Sequence, residues 1–94
     1  MLGELFAEGL GTFFFLGVIL ASGGNVVTIA VGLAASIFLV SKFSGANLNP
    51  AVSVMLFAKG DMTLHKTVSY ILAQILGGLA ALVWYQSTMG LVKA

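Results

Sequence analysis

Between two long apolar runs, the stretch Ser44-Gly45-Ala46-Asn47-Leu48-Asn49-Pro50-Ala51-Val52-Ser53 is polar, contains a glycine and holds the single proline of the chain. Asparagine is a favoured N-cap, and a proline just after it sacrifices no hydrogen bond, so Asn49-Pro50 predicts a helix start. The residues that follow, Ala51 to Ala58, are mostly apolar. They make roughly 12–15 Å of helix, about half of a bilayer core. The stretch therefore reads as a re-entrant segment over about residues 44–58. A loop dips into an apolar layer and a half-helix climbs back out.

Composition sets the solvent for such an element. The 94 residues are 60% hydrophobic and 7% charged, with a mean hydropathy of +1.11, which describes an integral membrane protein in contact with a lipid bilayer. The absence of cysteine removes disulfides, thiol nucleophiles and thiolate metal sites. A net charge of +1 without any arginine argues against a nucleic-acid partner. His65, Glu4, Glu8 and Asp61 are too few for a metal cluster or a catalytic triad, so neither an enzyme nor a cofactor is expected.

Three spans are expected, at about 5–22, 26–42 and 66–86. The fold class is then an all-α membrane protein of three transmembrane helices plus one re-entrant half-helix, in a single unit over 1–94. A secretory signal at the start would need a basic leader, where Glu4 and Glu8 stand instead. Ser22-Gly23-Gly24-Asn25 reads as a tight turn, and Trp84-Tyr85 as an interfacial aromatic pair. Lys42, Lys59 and Lys66 fall on the side where the chain begins, and Lys93 on the other. The positive-inside rule puts the N-terminus in the cytoplasm, with a bias weak enough to permit dual topology.

Small residues recur at packing distance, as Ala7/Gly11, Ala30/Ala34 and Ala73/Gly77/Ala81, and predict close helix contacts. Glu8 and Gln74 are polar residues inside spans, where a polar group marks function or a hydrogen-bond network. Two readings stand for Glu8. It anchors the dipping loop, whose backbone groups have no helix to satisfy them, or it relays protons. A relay lacks a second titratable group in the bilayer, which favours the anchor.

Three blocks in order resemble the aquaporin (major intrinsic protein) family. Ser44 to Val52 is similar to the first signature loop of the family, Ala7-Glu8-Gly9-Leu10-Gly11-Thr12-Phe13 to its first helix, and Tyr70-Ile71-Leu72-Ala73-Gln74-Ile75-Leu76-Gly77 to its third. The resemblance implies one of two inverted repeats, whose half-helices meet at the midplane of the bilayer. It further implies that Asn49 donates a hydrogen bond to water, that Pro50 and Ala51 hold the contact between half-helices, and that Glu8 and Gln74 brace the loop. Val31 and Ile29 become candidates to line the pore, although their ordinary reading is lipid-facing or core. The expected function is passage of water and small neutral solutes such as glycerol.

Departures from the family pattern shape that expectation. One repeat does not enclose a pore, so the second half is a second copy, another chain or a missing remainder, and a higher oligomer of such pairs is expected. Two copies would have to insert in opposite orientations. The chain begins and stops at the borders of one repeat, which favours an assembling half-channel over a truncated product. Val52 follows Ala51 where the second-half signature of the family carries arginine, and Asn47 stands where many members have histidine. Two rival functions remain: a holin-like unselective pore, which would not need Asn49 or Pro50, and a structural membrane subunit, which would carry no flux.

Overall fold

Helix boundaries in the computed structural model, which describes residues 1–93 and side chains through Met89, follow the cap and turn residues. The helices are α1 (Leu2–Ser22), α2 (Val26–Val40), α3 (Pro50–Lys59) and α4 (Leu64–Lys93). The side chain of Lys93, the lysine expected at the far end, lies outside the described residues.

Gly23 and Gly24 both adopt positive φ and end α1. Asn25 then caps α2, its Oδ1 accepting from Thr28 N at 2.9 Å and from Thr28 Oγ1 at 3.0 Å. Helix α2 stops at Val40, two residues short of the expected end, because Phe43 N and Ser44 N both turn back to Val40 O. Its 15 residues span about 22 Å, less than a bilayer core. Gly60, at φ 96°, closes α3, and Asp61 N donates to Leu56 O in a Schellman-type finish. Thr63 starts α4 ahead of the expected position, accepting from Lys66 N through its hydroxyl and from Thr67 N through its carbonyl.

Helix α1 packs between α2 and α4, while α3 leans on α4. The α1–α4 seam is built on Gly9 and Gly77, where the two backbones meet: a Cβ placed on Gly77 would lie 2.3 Å from Gly9 O. Ala7, Gly11 and Ala81 are buried along the packed faces. Helix α2 departs from its expected face. Ala30 and Ala34 are exposed, and α2 instead buries Gly32, Ser36 and Val40. Gly32 is what allows this rotation, because Val18 of α1 sits where a side chain would be, 2.6 Å from the position of a Cβ.

Burial is inverted relative to a water-soluble protein. The largest fully buried side chains are Tyr70, Gln74, Glu8, Thr12, Ser36 and Ser53, all of them bearing polar groups. Leu2, Phe6, Val26 and Phe38 are 71–82% exposed. Water would penalise an apolar exterior this extensive, whereas lipid favours it and forces polar groups inward. Helices α1 and α4 are long and apolar enough to cross a membrane. The chain is an all-α integral membrane protein with a re-entrant half-helix.

Candidate functional site

The loop between α2 and α3 lacks regular backbone pairing, and one buried carboxylate supplies much of what is missing. Glu8 Oε1 accepts from Leu48 N at 2.9 Å and from Gln74 Nε2 at 2.9 Å. Its Oε2 accepts from Asn47 N at 3.2 Å and from Ser44 Oγ at 2.5 Å. Four donors thus fill the acceptor sites of a fully buried carboxylate, as its burial demands.

This convergence needs an unusual backbone. Ala46 and Leu48 have φ of 53° and 57°, a left-handed conformation that costs about 1–2 kcal/mol for a residue with a side chain. The return is a pair of successive N–H groups aimed at one anion, as in backbone nests. The Leu48 side chain adds an apolar plug, packing with Ala7 and Val40 over Gly11. A Cβ on Gly11 would come within 2.7 Å of Leu48 Cδ2, so this glycine makes room for the plug.

Asn47 lies buried behind the loop, its Nδ2 donating to Ser53 Oγ at 3.1 Å and contacting Met62 sulfur at 3.3 Å. Ser53 Oγ also accepts from Gln74 Nε2 at 3.0 Å, which ties the half-helix to α4. Gln74 therefore meets Glu8 and Ser53 rather than the loop backbone. Ser53→Ala is expected to leave both amides short of an acceptor and to lower stability by about 1–3 kcal/mol. The check is the thermal unfolding midpoint of the detergent-purified protein, and an unchanged midpoint would contradict it.

Asn49 caps α3, its Oδ1 accepting from Ala51 N at 2.8 Å, and leaves its side-chain N–H₂ group at an exposed position. Asn49 and Pro50 form one wall of a groove of about 360 Å³ whose other residues include Thr12, Leu16, Gln74 and Gly78. Thr12 is the middle residue of α1, and Gly78 lies near the centre of the apolar part of α4, Leu64–Met89. Asn49 is thus held at mid-depth of the spans, with the positive end of the α3 dipole opening on the groove. Ala51 is exposed and Val52 half-buried on the first turn of α3. Val31, exposed, and Ile29, half-buried, stand on α2, whose packing contacts are with α1.

Sequence reasoning gave Ser44, Ser53 and Tyr70 no role of their own. Ser53 was findable as a hydroxyl inside an otherwise apolar half-helix, and Tyr70 as the residue one turn before Gln74. Among the described residues no group of acidic or histidine side chains is arranged to hold a metal.

The family model described as major intrinsic protein matches residues 1–94. The chain is 36% identical to the glycerol uptake facilitator protein of Streptococcus pneumoniae strain R6, over 92% of this chain and 44% of that protein. It is 35% identical to aquaporin Z of Photorhabdus laumondii, over 98% of this chain and 46% of that protein. A shorter match, 41% identical over 70% of the chain and 25% of the relative, is to aquaporin Z of Rhodopseudomonas palustris. The chain thus spans less than half the length of these relatives. No solved structure matches it. A buried glutamate clasping a re-entrant Asn-Pro-Ala loop and a family match over the whole sequence lead to one conclusion: the chain belongs to the major intrinsic protein family.

Proposed function

We propose that the chain is one half of a membrane channel for water and small neutral solutes such as glycerol, with the pore completed by a second, inverted half. One observation carries the reading. Asn49 sits at the N-terminus of a half-helix, at mid-depth, with its oxygen spent on the cap and its N–H₂ group left at an exposed position. Such an amide offers a donor to a neutral polar solute, while the positive half-helix end disfavours cations and protons. The names of the relatives, glycerol uptake facilitator and aquaporin Z, agree with this solute class.

Pro50 and Ala51 hold the contact with the opposing half-helix, Val52 leaves the constriction apolar, and Glu8 with Gln74 braces the loop. Val31 and Ile29 line the pore on the side of α2. Relatives more than twice as long as the matched segment have room for a second unit of this size. That unit is a second copy, another chain or a remainder of a longer sequence, and several such pairs associate further. Broken helices meeting at the midplane of inverted repeats are a recurrent plan in membrane transport. The N-terminus of this half lies in the cytoplasm, on the side of Lys42, Lys59 and Lys66, and a second copy serving as the partner half inserts the other way, which the weak lysine bias permits.

The test is osmotic shrinkage of liposomes carrying the purified chain, repeated with glycerol. Wild type is expected to speed shrinkage. Asn49→Asp keeps the cap oxygen but loses the donor, and is expected to slow flux about tenfold, equivalent to ~1.4 kcal/mol on the barrier. Asn49→Leu loses cap and donor together and is expected to be at least as slow. A wild type without excess flux would sink the self-sufficient channel, leaving a missing partner half or a structural role. A leak indifferent to both variants would point to an unselective pore.

A further inference from the structure

Gly45 carries a loop amide that Glu8 does not bind. Its N–H donates to Tyr70 Oη at 3.2 Å, and the same hydroxyl donates to Glu4 Oε2 at 2.9 Å. Glu4 Oε2 lies 3.2 Å from Lys66 Nζ, which also stands 5.6 Å from the centre of the Tyr70 ring. Tyr70 is 1% exposed, whereas the side chains of Lys66 and Glu4 are 38% and 33% exposed. A line of contacts therefore runs from an ion pair within reach of solvent to a buried tyrosine and on to the loop.

Each contact conditions the next. A phenol has one proton to give, and Glu4, by accepting it, leaves the oxygen lone pairs facing the Gly45 amide. Lys66 holds the Glu4 carboxylate where it can do so. Beyond Gly45, Ser44 Oγ accepts from Ala46 N at 3.0 Å and donates to Glu8, so displacement of this turn is felt by the anchored part of the loop. The two attachments differ in one respect that an experiment can read. Half-exposed ion pairs are screened by salt, and the fully buried Glu8 cluster is not.

We propose that Glu4, Lys66 and Tyr70 form a second, salt-sensitive brace of the Asn49 loop, with Tyr70 as the positioning residue that passes the state of the Glu4–Lys66 pair to Gly45. That the brace tunes permeation rests on the channel reading above, whereas its hold on the loop does not.

Amide hydrogen exchange of the chain in lipid nanodiscs, followed by mass spectrometry on peptides covering residues 43–49, separates the two. It is run at low salt and at about 1 M, where the screening length falls to about 3 Å. Wild-type exchange at 45–46 is expected to rise about two- to threefold with salt. Tyr70→Phe keeps the ring but loses the hydroxyl, and is expected to exchange about three- to tenfold faster at low salt, the effect of one lost hydrogen bond. It is also expected to lose the salt response. Lys66→Met is expected to match salt-treated wild type under both conditions. Exchange in Tyr70→Phe equal to wild type, or a salt response that survives in Lys66→Met, would overturn the brace.

The same variants in proteoliposomes report the glycerol-to-water permeability ratio, which global loosening of the fold would not move in step with exchange. An unchanged ratio beside faster exchange would overturn the tuning role. Faster exchange in Tyr70→Phe beside a wild type that carries no flux would sink the self-sufficient channel and leave the brace intact.

Discussion

Glu8→Leu is expected to be the most damaging single substitution in the chain. It removes the acceptor of four donors at once: the Asn47 and Leu48 amides, Ser44 Oγ and Gln74 Nε2. A buried donor left unpaired costs about 1–3 kcal/mol, so the two backbone amides alone put the loss at about 2–6 kcal/mol. The left-handed Ala46 and Leu48 then lose the bonds that justify their backbone, and the loop is expected to relax away from mid-depth. Leucine brings no offsetting gain, because position 8 faces protein and is fully buried, so lipid does not reward the apolar side chain. Glu8→Gln retains one carbonyl oxygen but turns an N–H₂ group toward other donors, and is expected to fall between Leu and wild type. Thermal unfolding of the detergent-purified variants, read by loss of the monodisperse species, orders the three. A Glu8→Leu protein that melts with wild type would mean that the loop does not depend on this carboxylate.

How far the sequence carries one toward this site depends on whether the signal is local. Asn49-Pro50 announces a helix start by chemistry that needs no tertiary partner, and α3 begins at Pro50 with Asn49 as its cap. Glu8 is conspicuous because an acid in an apolar helix must be satisfied somewhere, and its partners in the structure are the loop amides together with Ser44 and Gln74. The left-handed Ala46 and Leu48 were illegible, since neither residue type favours that conformation and only the pull of the carboxylate explains it. Tyr70 stands in the sequence only as the first residue of the third family-like block until its hydroxyl is seen between Glu4 and Gly45. Helix α2 shows the same limit: Ala30/Ala34 and Gly32/Ser36 have identical spacing, and only the fit of Val18 against Gly32 selects the second pair. Sequence names the candidates for a close contact, and the shape of the facing helix chooses among them.

Gly77 and Gly78 turn that lesson into a measurement, because adjacent identical residues are expected to respond oppositely to the same substitution. Alanine favours a helix over glycine by up to about 1 kcal/mol, and this gain is common to both positions. At Gly78 the added Cβ meets Leu16 Cδ1 at 2.9 Å, the far end of a flexible side chain that can rotate away. Gly78→Ala is therefore expected to be neutral or stabilising by up to about 1 kcal/mol. At Gly77 the Cβ would meet Gly9 O at 2.3 Å, Gly9 C at 3.1 Å and Phe13 N at 3.2 Å, all of them backbone of α1. No rotamer relieves that clash, so the helices must separate, and overpacking of this kind costs about 1–3 kcal/mol, more than the propensity gain returns. Separation also strains the Gln74–Glu8 bond, which crosses the same seam one turn away, and so reaches the Asn49 loop. Gly77→Ala is expected to lower the unfolding midpoint and speed amide exchange at Asn47 and Leu48, with Gly78→Ala doing neither. Equal behaviour of the two variants would show that α1 and α4 do not meet backbone to backbone at Gly9, and the depth assigned to Asn49 would fall with that contact.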